Sequence, residues 1–118
     1  MTDDTNAHMT DIAENFSGHR FDLTYDHLAD NIRWQNLGDD DLHGKAAVIE
    51  ACNSSANYLR GVTTTFTRTR TIVGPDVVVI DSQADYLDGT EAATVASCDI
   101  YDFAAGKVSA ITSYTVEL

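Results

Sequence analysis

Between Val62 and Val116 the sequence offers four strand-like runs and little else. The run VTTTFTRTRTIV (62–73) is so rich in β-branched residues that it reads as a strand almost regardless of pattern. Gly74, Pro75 and Asp76 then turn the chain. Val77 to Tyr86 follows, with Asp88-Gly89 as a hairpin turn after it. The runs AATVASCDIYDF and VSAITSYTV flank a last turn centred on Gly106 and Lys107. Turns this short imply a largely antiparallel, curved sheet, with little room for parallel crossovers. The rest of the chain must cover that sheet.

The last pair of runs also carries the most informative residue. By the two-residue period of a strand, Val95, Ser97, Asp99, Tyr101 and Phe103 share one face. Thr94, Ala96, Cys98, Ile100 and Asp102 share the other. Neither face is purely polar, which places the pair centrally in the sheet. Asp99 thus sits mid-strand among apolar neighbours, and a carboxylate there needs a reason, because burying it unpaired is costly. Two reasons are open. Asp99 lines a pocket, or it is bonded to backbone or paired with Arg33, Arg68 or Arg70 and lines nothing.

Strict alternation through 62–73 puts Val62, Thr64, Phe66, Arg68, Arg70 and Ile72 on one face and Thr63, Thr65, Thr67, Thr69 and Thr71 on the other. The threonine face suits flat contacts between sheets, although solvated threonines give the same pattern.

Upstream, Thr5 to Phe16 has the spacing of a short helix, with Met9, Ile12 and Phe16 on one side, ended by Ser17 and Gly18, and residues 1–4 expected to fray. Phe21 to Ala29 favours a helix over a strand, since Phe21, Tyr25 and Leu28 share a helical face. Asn31 to Asn36 reads as a short strand. Gly38 to Gly44 reads as a solvated loop; its Asp39, Asp40 and Asp41 lack the alternating ligand spacing of a calcium loop. Lys45 to Arg60 is the clearest helix, with Val48, Cys52, Ser55 and Leu59 along one side and Gly61 at its end. The expected class is α+β, in one domain over 1–118.

Charge narrows the partners. Seven basic against nineteen acidic residues give a formal net charge of −12. Nucleic-acid backbones and anionic membranes both demand a basic footprint, so neither partner is expected. MTDDTNAHMTD at the start lacks a basic segment followed by an apolar core, so no signal peptide is expected. Cys52 and Cys98 lie far apart and lack metal-type spacing, which reads as two buried thiols in a reducing cytoplasm. His19, His27 and His43 lack ligand spacing as well. Neither a cofactor nor a metal is expected.

In order and spacing, several short motifs resemble the SnoaL-like or NTF2-like superfamily, which includes ketosteroid isomerases, polyketide cyclases and limonene epoxide hydrolases. They are Leu28-Ala29-Asp30-Asn31-Ile32-Arg33-Trp34, His43-Gly44-Lys45-Ala46-Ala47-Val48, Cys98-Asp99-Ile100-Tyr101-Asp102-Phe103, Gly106-Lys107-Val108 and Ser113-Tyr114. The resemblance spans about residues 20–116. It implies a cone, a curved sheet wrapped around N-terminal helices with a pocket at the open end, and often a homodimer formed through the sheet. It implies that Asp99 falls where isomerases carry a protonated aspartic acid that donates to a developing oxyanion. Gln35 falls where they carry a proton-abstracting aspartate, a task Gln cannot perform. Asp11 or a neighbour falls where they carry a tyrosine.

The candidate catalytic set is therefore Asp99, Asp81, Gln35 and Arg33. Asp81 would share acid–base work if its strand neighbours Asp99, and Arg33 would pair with Asp99 and lower its pKa. The candidate pocket set is Trp34, Tyr25, His27, Tyr58 and Tyr101. Three functions remain open: isomerase, cyclase or hydrolase chemistry with Asp99 as general acid/base or oxyanion donor on a small, mostly apolar carbonyl or polyketide-like molecule; non-catalytic binding of a small molecule or a protein; and assembly through the sheet. The binding reading expects no second ionisable group within reach of a ligand near Asp99.

Overall fold

The computed structural model describes residues 2–118. Met1, the start of the segment expected to fray, lies outside them; from Thr2 the chain is helical. The order is helix α1 (Thr2–Ser17), a 3-10 helix (Phe21–His27), strands β1 (Leu28–Asn36) and β2 (Asp41–His43), helix α2 (Lys45–Leu59), then strands β3 (Thr63–Gly74), β4 (Val77–Asp88), β5 (Glu91–Ala104) and β6 (Lys107–Glu117).

Four strands after residue 62 follow the turn signals closely. The last turn is Ala105-Gly106, with φ of 52° and 78°, the paired left-handed conformations of a type I′ hairpin. The N-terminal half departs further from pattern. The segment read as a helix from Phe21 to Ala29 is one short 3-10 helix, and its last two residues already belong to β1. The strand expected over 31–36 has nine residues. The acidic loop contains a small strand, β2, because Arg33 pulls Asp41 alongside β1 through two hydrogen bonds of 2.9 and 2.8 Å.

All six strands form one sheet in the order β2-β1-β6-β5-β4-β3. β5 and β6 are central, as their two mixed faces suggest. The expected cone is not formed. The sheet is not closed or strongly curled; it remains open, with β2 and β3 as its two edges. It is also mixed. β1 runs parallel to β6, with Trp34 beside Ile111 and Asn36 beside Ser113. The whole of α2 and the β3–β5 meander intervenes, which supplies the long crossover that a parallel pair needs.

A bulge in β3 changes the face assignment there. Phe66 pairs with Ala84 and Arg68 with Gln83, so Thr67 is the extra residue. Beyond it the alternation reverses. Thr69 and Thr71 pair with the inward-facing Ser82 and Ile80. Arg68 and Arg70 face outward, where both contact Asp81, at 2.7 and 3.4 Å.

The core lies between the inner face of the sheet and the two long helices. Met9, Ile12, Ala13 and Phe16 of α1 and Val48 and Cys52 of α2 pack on Leu28, Ile32, Val78, Ile80, Tyr101, Val108 and Ile111. Each large side chain fully removed from water there contributes about 1.5–3 kcal/mol.

Candidate functional site

A cavity of about 630 Å³ opens between the end of α1, the side of α2 and one end of the inner sheet face. Its walls include Phe16, Phe21, Trp34, Leu59 and Val95, while Asp39, Asp40 and Tyr58 also border it. Asp99 reaches it from β5, one of the two central strands.

Asp99 is held by hydroxyls. The Ser17 Oγ–H donates to its Oδ2 at 2.8 Å, and Ser113 bonds the same carboxyl group. Behind each serine stands an aromatic donor. The Trp34 Nε1–H donates to Ser113 Oγ at 3.0 Å. Tyr101 Oη lies 2.6 Å from Ser17 Oγ. Since Ser17 spends its one hydrogen on Asp99, Tyr101 is the donor in that contact. The chain of bonds runs from Trp34 through Ser113, Asp99 and Ser17 to Tyr101, which is completely buried.

Burial pushes the Asp99 carboxyl above the ordinary carboxylate range; the Ser113 and Ser17 hydrogen bonds oppose that rise without cancelling it. The arginines that would lower it are elsewhere. Arg33 pairs with Asp41, and Arg68 and Arg70 with Asp81. Burial, reinforced by the Asp99 charge, keeps the Tyr101 hydroxyl protonated well above its usual range.

The register explains which expected residues miss the site. Ile80 lies opposite Asp99 in the ladder, so Asp81 points to the other side of the sheet. The expected Asp81/Asp99 pair is therefore divided by the sheet. Arg33 and Gln35 share that outer face, because their neighbours Ile32 and Trp34 point inward. Asn36, not Gln35, borders the cavity. Of the pocket set, Trp34 is wall and Tyr58 stands at the opening, donating to Asp88 Oδ2 at 3.1 Å. Tyr101 lies behind the wall. Tyr25 donates to Asn53 Oδ1 at 2.7 Å, and His27 packs edge-on against His8; neither lines the cavity. Asp11 is exposed on α1.

Four cavity residues lie outside the candidate catalytic and pocket sets: Ser17, Ser113, His19 and Tyr86. His19 lacks ligand spacing in the sequence, which leaves a solvated or locally bonded ring as the default. It lines the cavity, and its Nε2 lies 2.9 Å from Tyr86 Oη. Its backbone is left-handed, with φ of 66°. His19 N–H donates to Phe16 O, and Arg20 N–H to Asn15 O, which makes His19 the left-handed residue of a Schellman cap, a place Gly usually takes. Gly18 precedes it in the sequence, so only the cap geometry reveals the substitution. Burial, then the Arg20 charge, lower the His19 pKa.

Among the described residues no three His, Cys, Asp or Glu side chains are grouped so as to hold a metal ion. Cys52 is fully buried and its thiol is pushed up to about 12 by burial. Cys98 is partly exposed on the outer face. No described helix is long and apolar enough to cross a membrane.

The comparisons agree with this architecture. The sequence profile of the SnoaL-like domain matches residues 9–111. No curated protein matches the chain. Among solved structures, an NTF2-like protein of unknown function from Cytophaga hutchinsonii is 31% identical, with 95% of this chain and 99% of that one aligned at a TM-score of 0.85. A limonene-epoxide-hydrolase-like enzyme of Mycobacterium tuberculosis shares the fold at 13% identity, with 95% and 82% covered and a TM-score of 0.67. A Jannaschia protein assigned provisionally as a SnoaL-like polyketide cyclase does so at 12% identity, with 93% and 86% covered and a TM-score of 0.73. With a matched profile over most of its length and a relative at 31% identity, the chain belongs to the SnoaL-like family of NTF2-like proteins.

Proposed function

We propose that the protein is an enzyme that moves a proton on a small, uncharged, mostly apolar carbonyl compound, with Asp99 as the group that takes and returns it. The observation that carries this reading is the Asp99 carboxyl itself, set against a largely apolar cavity and bonded to serine hydroxyls rather than to a cation. Desolvation raises its pKa above the ordinary carboxylate range, the direction that favours proton exchange near physiological pH. As a carboxylate, Asp99 removes a proton from the carbon next to the carbonyl; the C–H electron pair becomes a carbon–carbon double bond as the C=O π pair moves onto the oxygen. Returning the proton to a different carbon isomerises the substrate, and returning it to the same one exchanges it. Asp39 and Asp40 at the rim disfavour anionic ligands. Solved structures of this fold carry the names epoxide hydrolase, isomerase and polyketide cyclase, which supports small-molecule chemistry without fixing the substrate.

The test is deuterium wash-in at the acidic carbon of simple enolisable ketones, followed by NMR, with the carboxyl carbon of Asp99 titrated in parallel. Exchange that falls roughly 100-fold in Asp99→Asn, together with a midpoint above the ordinary aspartate value, is the expected result. Exchange that persists in Asp99→Asn would remove the reading; a normal or depressed midpoint would remove the desolvated acid and leave only a low-pKa base.

The outer sheet face supports a second component. Ile72, Tyr114 and Val116 are exposed there, around the small residues Ala96 and Cys98 and the self-paired Arg68, Arg70 and Asp81. We infer pairing of two copies through this face, on which the bulge leaves only Thr63 and Thr65 of the threonine row of β3. The free cysteines fit a reducing compartment such as the cytoplasm.

A further inference from the structure

The end of α1 holds two polar groups of the inner sheet face, not one. Ser17 bonds Asp99 of β5, and His19, two residues on, bonds Tyr86 of β4. Both sheet residues face inward, but Asp99 lies opposite Ile80, six positions along β4 from Tyr86. They occupy separate parts of one cavity wall.

Hydrogen-bond accounting then fixes what Tyr86 offers. His19 Nδ1 is buried and has no partner. An unpartnered buried N–H is costlier than an unpartnered lone pair, so the proton belongs on Nε2. Nε2–H therefore donates to Tyr86 Oη, and the Tyr86 hydroxyl hydrogen, which has no acceptor among the described residues, is left for the cavity. Burial and the Asp99 charge both raise the Tyr86 pKa, so the phenol stays a donor. The left-handed φ of His19 is what turns its ring toward Tyr86 while Ser17 faces Asp99. The ring is then wedged against Phe21 and Phe66, with centroids 5.7 and 5.4 Å away.

We propose that Tyr86, positioned by His19, is a specificity-determining hydrogen-bond donor that selects ligands carrying a second accepting oxygen, remote from the group handled by Asp99. The ligand class is thereby narrowed to small bifunctional molecules: an apolar frame with a reacting carbonyl at one end and a carbonyl or ether oxygen at the other. This inference rests on the proposed proton-transfer reading for the identity of the reacting end. The donor at Tyr86 stands on its own geometry.

The experiment compares trans-decalone, with one carbonyl, against the isomeric trans-decalindiones. Binding is followed by the fluorescence of Trp34, the single tryptophan and a cavity wall residue. At least one dione is expected to bind the wild type roughly tenfold more tightly than the monoketone, the scale of one hydrogen bond. Tyr86→Phe is expected to erase that preference while leaving monoketone binding in place. His19→Asn, which tolerates the left-handed backbone but does not reach Tyr86, is expected to reduce the preference and keep the fold. Long-range nitrogen–proton NMR is expected to show the Nε2–H tautomer of His19. A wild type that binds all the probes equally or not at all, a preference that survives in Tyr86→Phe, or an Nδ1–H tautomer would each overturn the inference. The Asp99 titration is independent of these outcomes, so failure of the proton-transfer reading is distinguishable from failure of this one.

Discussion

At the scale of single residues, Asp99 is placed at the expense of stability. Its folded-state pKa is raised by burial. The folded chain therefore holds that proton to a higher pH than the unfolded chain, which releases it near the ordinary value of about 4. The sign follows: the contribution is fully present below about 4 and is lost as pH rises through the raised folded value. Asparagine has no proton to lose. Thermal melts of the wild type and Asp99→Asn across a pH series should show a gap that widens in favour of the variant as pH climbs above about 4, then levels off. A gap independent of pH would mean that Asp99 is not desolvated. His19 has the opposite sign. Its pKa lies below the ordinary histidine value of about 6.5, so its contribution is present at higher pH and is lost as pH falls through that region. In Asp99→Asn this acid-side loss should remain, and in His19→Asn it should vanish.

At the scale of elements, the contact between the last turn of α1 and the middle of β5 carries both the fold and the site. Ser17 accepts from the buried Tyr101 and donates to Asp99. Ser17→Ala leaves the Tyr101 hydroxyl unpartnered, a cost of about 1–3 kcal/mol. It also removes a bond that holds the Asp99 pKa down, so that pKa should rise further. Tyr101→Phe removes the orphan, and the double variant should lose less than the sum of the single ones, as measured by denaturant unfolding. Additive losses would mean that Ser17 and Tyr101 act separately. Much of this element-level frame was legible in the sequence. Turn chemistry at Gly74-Pro75-Asp76 and Asp88-Gly89, and alternation around Asp99, located four strands and sorted the residues of β5 into two faces, without showing which face turns inward. The rest was hidden for physical reasons. A single extra residue at Thr67 reverses the sense of β3, and nothing in a run of alternating threonines marks which residue is extra. Asp81 looked like a partner of Asp99 because strand alternation does not give the register between strands. His19 was invisible as a cap because it occupies a backbone conformation usually taken by Gly.

At the scale of the whole molecule, the expected cone assumed a sheet that curls on itself, whereas the six strands form an open layer with a free outer face. Alternation alone cannot report curl, which depends on where bulges fall. An open outer face changes the assembly argument. Tyr114 and Val116 are 48% and 58% exposed on that face, where β6 runs on beyond the end of β1, beside residues too small to obstruct a second sheet. Each copy carries a formal charge of −12, so two copies repel at long range even where their apolar surfaces fit. Raising ionic strength shortens the screening length to about 10 Å at 0.1 M, which weakens this repulsion but leaves apolar contact intact. Sedimentation equilibrium should therefore show a dimer that tightens with added salt and a Tyr114→Glu variant that is monomeric throughout. Salt that loosened the dimer would instead assign it to ion pairs exchanged between Arg68 or Arg70 of one copy and Asp81 of the other. A Tyr114→Glu variant with unchanged mass would place the contact elsewhere.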